Sequence, residues 1–214
     1  MRLSGRLWDE NADLARAALD HGFVRGIADG TLPLESFRHY VAQDAYFLEA
    51  FTRAYALALA HSPDREGLTD FAALISGVLD ELRLHAGYAE RWGISLGEVE
   101  PGAATLDYTE FLLSTAALGG AGLTCAAMTP CMKLYAFLGH SLAGEGYAAD
   151  NPYVEWIQTY SDPEFGALVS KLEELLDRYG GSGGPESPEV RRAYRRAMSL
   201  ELGFFEAGLR AGSG

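Results

Sequence analysis

The sequence holds little from which a crosslink, a metal cage or a nucleic-acid surface is made. Two cysteines and five histidines are spread over 214 residues. Cys125 and Cys131 stand six positions apart in what reads as one helix, so they point to different faces and a bond between them is geometrically poor. Free thiols fit a reducing compartment. Lys and Arg number 17 against 30 Asp and Glu, a formal charge of −13, and no basic run occurs. A phosphate backbone or an anionic membrane would be repelled, so neither nucleic acid nor membrane is an expected partner. No uninterrupted apolar stretch reaches eighteen residues, and the N-terminus lacks the basic, apolar, small-residue order of a secretory signal. A cytoplasmic protein is expected. Alternating runs rich in Val, Ile and Thr are missing as well, and with them the signature of a sheet.

What is present is apolar residues recurring at three and four positions, which predicts an all-α chain. With 48% hydrophobic residues the chain can fill one substantial core, so a single domain over 1–214 is expected, with 180–186 as a flexible internal loop and 211–214 as a tail. The reading places a helix capped by Ser4 and reaching His21, a second from Leu34 to His61, and a third from Asp64 to Trp92. A helix carrying Tyr108 and Phe111 should end at Gly119-Gly120, and the next, from Ala121 to Leu142, should kink or open at Pro130. Helices over Pro152–Tyr160 and Pro163–Tyr179 follow, then one capped by Ser187 with Pro188 in its first turn, running to Leu209.

Three carboxylates interrupt apolar stripes. Asp44 completes the stripe of Phe37, Tyr40, Val41, Phe47, Leu48 and Phe51. Glu201 shares a face with Tyr194, Met198, Phe204 and Phe205, and Glu81 with His85 lies among Leu74, Val78, Tyr88 and Trp92. A buried carboxylate needs a hydrogen-bond partner, a cation, a proton or a ligand. Glu81 and His85, four apart, read as a structural ion pair or subunit contact and stay outside the expected catalytic set. From periodicity alone Asp44 and Glu201 suit a satisfied structural carboxylate and a site residue equally. Cys131 is the residue whose chemistry is covalent at neutral pH with little help, and Tyr135 shares its helix face, whereas Cys125 among alanines reads as packing.

These residues fall in segments with a family likeness. Tyr40-Val41-Ala42-Gln43-Asp44-Ala45-Tyr46-Phe47 resembles the second-helix motif of thiaminase II (TenA-type) proteins, and Ala127-Met128-Thr129-Pro130-Cys131-Met132-Lys133-Leu134-Tyr135 resembles their Pro-Cys segment. Trp156-Ile157-Gln158-Thr159-Tyr160 and Ser199-Leu200-Glu201-Leu202-Gly203-Phe204-Phe205 are similar to two further motifs, in the same order. The resemblance implies a haem-oxygenase-like helical bundle and hydrolysis of an aminopyrimidine. It implies Cys131 and Glu201 as catalytic groups, and Asp44, Phe47, Tyr108, Tyr135 and Tyr160 as the substrate-binding shell. It also implies a homotetramer and no metal or organic cofactor. Phe47, Leu200 and Phe205 stand where Tyr, Tyr and Trp are usual, and Thr129, Met132 and Lys133 also depart, which bears on pocket shape more than on reaction class.

Two other chemistries are hosted by the same fold. A di-iron oxidase needs several His and carboxylate ligands on facing helices, yet no histidine follows His140. A haem enzyme would need an axial ligand, for which His21 is available, but its neighbours do not read as a haem pocket. A non-catalytic pyrimidine-binding or regulatory member would be marked by loss of Cys131 or Glu201, and both are kept.

Overall fold

The computed structural model describes residues 1–94, 96, 99–181 and 187–212, and leaves aside the side chains at 84, 85 and 88. Among the described residues the regular elements are all helical: α1 Leu3–Glu10, α2 Ala12–Leu19, α3 Gly22–Asp29, α4 Leu34–Ala60, α5 Arg65–Trp92, α6 Ala103–Glu145, α7 Val154–Ser161, α8 Pro163–Tyr179 and α9 Pro188–Ala211. α6 is the spine, packing against α4, α9, α8 and α7. It is also the described helix long and apolar enough, by length and composition, to cross a membrane. Here its apolar surface is met by the neighbouring helices, and one continuous core runs from Leu7 to Phe205.

The long helices α4 and α5 begin and end within a residue or two of where the sequence places them. The short ones differ. The expected helix from Ser4 to His21 is two helices, because Asn11, buried and non-helical, turns its side-chain amide back onto the Leu7 carbonyl at 2.7 Å. Ser4 lies inside α1 and does not cap it; its N–H and hydroxyl bind Asp177 of α8 at 2.8 and 3.1 Å. α3 was not expected at all; the His21 ring caps it by accepting from the Phe23 N–H at 3.2 Å. That bond, with a tilted ring contact to Phe205 at 6.1 Å, gives His21 a structural role. Ser187 gives no side-chain cap to α9, whereas Asp162 caps α8 and Asp64 caps α5.

The two helices expected on either side of Gly119-Gly120 are assigned as one, α6, with a sharp break at Gly120 (φ 69°, ψ −179°). The expected opening at Pro130 is not seen in the backbone torsions, which depart from helical inside α6 at Gly120 alone. Proline removes one N–H but its fixed φ is helical, and the Thr129 hydroxyl holds the preceding turn by donating to the Cys125 carbonyl at 2.7 Å. The loop expected at 180–186 and the tail at 211–214 lie largely outside the described residues, and Ala211 still belongs to α9.

Gly139 decides how closely α7 approaches α6. A Cβ there would overlap the Tyr160 carbonyl carbon and stand 2.7 Å from the Ser161 nitrogen, so the two backbones touch where any side chain would part them. The same approach sets Tyr160 edge-on to Tyr135, with ring centroids 4.8 Å apart. Gly139→Ala should lower stability by about 1–3 kcal/mol, as overpacking does, and displace Tyr160. Thermal unfolding and ligand titration of the variant check this; unchanged values for both would show that the contact does not set the spacing.

Candidate active site

Six helices bring one cluster together. Asp44 comes from α4, Glu81 from α5, Cys131 and Tyr135 from α6, Tyr160 from α7 and Phe165 from the first turn of α8; these line one small cavity with Leu48, Phe51 and Met132. Glu201 of α9 completes the cluster from behind, its carboxyl hydrogen-bonded to the Cys131 thiol and accepting from the Tyr108 hydroxyl at 2.7 Å. Glu201 and Asp44 are 1% and 4% exposed, so both are carboxyls enclosed by the core. Cys131 is half-buried, while Cys125 is fully buried, and both thiols are free.

The sequence-predicted residues form two layers. Asp44, Cys131, Tyr135 and Tyr160 face the cavity. Tyr108 stands behind, bonded to Glu201, and Phe47 packs on Tyr108 with centroids 4.7 Å apart. Phe47 thus reaches the cavity only through its neighbours, among them Phe51 and Phe204. Lys133 turns away from the site to pair with Glu173 of α8 at 3.1 Å, so this departure from the family pattern is remote from the cavity.

Several contributors are not evident from sequence. The Trp156 indole donates to the Tyr40 hydroxyl at 3.2 Å, and Tyr40 donates onward to Tyr135 at 3.4 Å, a chain that orients the Tyr135 ring. Gln43, beside Asp44, receives the Gly102 N–H at 2.9 Å and the Thr105 hydroxyl at 2.5 Å, and donates to the Glu100 carbonyl at 3.0 Å. It ties α4 to the start of α6 and fixes the register of the acid next to it. Glu81, expected as half of a structural pair, instead lines the cavity and accepts from the Tyr160 hydroxyl at 2.6 Å. The His85 side chain lies outside the described residues.

The electrostatics follow from burial among acids. Burial, then Glu201, Asp44 and Glu81, push the Cys131 thiol well above the usual thiol range, so it rests as a neutral S–H. Burial is also the largest influence on Glu201; with Asp44 it outweighs the opposing hydrogen bonds from Tyr108 and Cys131 and raises its carboxyl from 4.5 to about 8. Burial, followed by Glu201 for Tyr108 and Glu81 for Tyr160, holds those phenols well above their ordinary range, so they serve as donors. A thiol and a carboxyl that share a hydrogen bond and a proton near neutral pH can pass that proton between them. Among the described residues no group of three or more His, Cys, Asp or Glu is placed to hold a metal ion.

The cavity itself is about 10 Å³, room for a single water. A groove of about 330 Å³ lies beyond it, and Glu81, Met132 and Phe165 line both spaces. A heterocycle entering from the groove requires the Met132 and Phe165 side chains to turn aside. A larger open groove, about 900 Å³ and bordered by His61, Leu118 and Arg196, shares no lining residue with either and holds none of this chemistry.

Comparison with known proteins agrees with this layout. The bifunctional TH2 protein of Arabidopsis thaliana is 35% identical over 96% of this chain. The chain spans only 37% of that protein's length, and 28% of a multifunctional thiamine biosynthesis protein from Corynebacterium efficiens. An aminopyrimidine aminohydrolase from Halalkalibacterium halodurans is 32% identical over 96% of this chain and 95% of its own. Among solved structures, one described as a TenA family transcription regulator from a Silicibacter species superposes with a TM-score of 0.90 at 32% identity, covering 97% of this chain and 96% of that one. A TenA homologue from Pyrococcus furiosus gives 0.87 at 28%, covering 96% and 99%. Residues 8–211 match the TENA/THI-4/PQQC family as a whole, and the chain belongs to that family.

Proposed function

We propose that this chain is an aminopyrimidine aminohydrolase of the thiaminase II type, hydrolysing 4-amino-5-aminomethyl-2-methylpyrimidine to its hydroxymethyl counterpart, with thiamin a weaker substrate. The observation that carries the reading is the Cys131 thiol hydrogen-bonded to the enclosed Glu201 carboxyl, with Asp44 lining the same cavity. Relatives named for this activity support it at 32% and 29% identity over 96% and 89% of the chain.

In the reaction Glu201, ionised, takes the thiol proton and the sulfur forms a C–S bond to a ring carbon. The ring nitrogen takes that proton from Glu201. Electrons from the ring then break the C–N bond of the methylene arm, whose nitrogen is protonated, and the pair leaves on that nitrogen as ammonia. Water adds its oxygen to the exposed methylene carbon and its proton passes to Glu201, which releases it to solvent. The C–S bond then breaks with its pair on sulfur, and the ring nitrogen's proton passes to that sulfur to restore the Cys131 thiol. One water is consumed and one amine released, with side chains supplying nucleophile, proton carrier and ring contacts. Tyr135 and Tyr160 offer flat faces to the ring, and Asp44 accepts from its amino group. The same reading includes a cytoplasmic homotetramer.

Asp44→Asn tests the binding half of this reading. The amide presents N–H donors where an acceptor is required, and substrate affinity should fall by roughly tenfold to a hundredfold, the worth of one charge-assisted hydrogen bond. Calorimetric titration of the aminopyrimidine into both proteins measures it. Wild-type affinity in the variant would remove Asp44 from the binding shell.

A further inference from the structure

Spacing reads Glu81 with His85 as a structural ion pair or subunit contact, yet Glu81 stands where two spaces meet. Its carboxylate borders the inner cavity with Asp44 and Cys131, and the outer groove with Asp80, Asp162 and Glu164. Among the described residues lining either space there is no Lys or Arg. The Tyr160 hydroxyl donates to Oε1 at 2.6 Å and orients this carboxylate, while Arg91 of α5 holds Glu155 of α7 at 2.6 Å as a second tie between the two helices. Asp44 and Glu81 therefore flank the thiol from α4 and α5.

Two carboxylates lining a cavity this small cannot both serve one neutral ring in the same way. A ring amino group needs one acceptor. The second, at the junction with the acid-lined groove, is placed to meet another part of the ligand, and a primary amine on a methylene arm is both a donor and a cation at neutral pH. We infer that Glu81 is a specificity-determining residue for the proposed reaction, receiving the cationic amine of the substrate arm at the mouth of the cavity while Asp44 holds the ring. There it keeps the arm nitrogen protonated, so that when the C–N bond breaks the electron pair departs on ammonia rather than on a far more basic amide ion. The groove, lined by further acids, is the side from which the amine enters and leaves.

This inference rests on the aminopyrimidine reading, and the two fail differently. Binding of the aminomethylpyrimidine and of its neutral hydroxymethyl analogue is measured by calorimetry for wild type, Glu81→Gln and Glu81→Asp, alongside ammonia release from the amine. Wild type should bind the amine ahead of the alcohol. Glu81→Gln should lose roughly thirtyfold or more of its affinity for the amine, the scale of a charged hydrogen bond, while its affinity for the alcohol changes less than about threefold. Retained alcohol binding also reports that the variant is folded. Glu81→Asp keeps the charge one methylene short and should keep the amine ahead. Equal losses for both ligands, an undiminished preference in Glu81→Gln, or no preference in wild type overturns the inference. A wild-type protein that prefers the amine but releases no ammonia defeats the hydrolase reading and leaves the assignment of Glu81 standing.

Discussion

Cys131→Ala protein should bind the aminomethylpyrimidine with close to wild-type affinity and turn it over about a thousandfold more slowly, or not measurably. The residues proposed to hold the ring, Asp44, Tyr135 and Tyr160, come from three helices and line the cavity beside the thiol. Removing one sulfur at the cavity wall leaves their contacts intact and adds a little room. What disappears is the covalent step: Tyr135 and Tyr160 are held protonated, and Glu201 is not among the residues lining the cavity. Ammonia release and calorimetry on the same sample separate the two effects. Survival of activity in this variant, or its reversible loss on chelation of metals in the wild type, sinks the thiol mechanism.

Glu201→Gln should lower turnover by roughly a hundredfold or more, the usual scale for a proton carrier, with binding nearly unchanged. In the wild type Glu201 must be ionised in the free protein to accept the thiol proton, so kcat/KM should climb with pH through about 8. The variant should lose that climb. It should also be more stable. An acid whose folded pKa is raised from 4.5 to about 8 binds a proton more tightly folded than unfolded. Its favourable contribution is complete below the lower value and is lost as pH rises to the upper one, amounting to roughly 3 kcal/mol by pH 7 at about 1.4 kcal/mol per unit. Gln has no such proton to lose. A melting temperature above wild type by several degrees at pH 8 to 9, shrinking toward pH 5, is the expected result at this chain length. A variant no more stable at alkaline pH would show that Glu201 is not the strained group.

The residues that were legible in the sequence are those whose environment is set within their own helix. Asp44 and Glu201 stand out because a carboxylate in an apolar stripe is anomalous wherever the helix packs, and the structure encloses both. Glu81 carried the same mark, but a histidine four residues on offered a local explanation; only the Tyr160 hydroxyl, brought to it on α7, shows that it lines the cavity. Trp156 and Tyr40 are 116 positions apart, and no periodicity couples them. Among the helices, α4 and α5 are long enough for their periodicity to mark both ends, whereas α1, α2 and α3 span eight residues each, too few to show where one stops and the next begins. The break inside α6 was placed correctly at Gly120 but also sought at Pro130, where neighbouring contacts keep the turn helical.

The closeness of the cavity around Cys131 bears on how long the protein lasts. Peroxides attack thiolates far faster than thiols, and the acids around Cys131 keep its sulfur protonated. Space for about one water leaves little room for a bulkier oxidant or a second thiol to approach. In the proposed reaction the nucleophile is armed by its substrate, whose positive charge offsets the surrounding carboxylates, and is disarmed between turnovers. Many reactive cysteines rest as thiolates; on this reading Cys131 rests as a thiol, and its wear should follow the number of turnovers rather than the time spent waiting.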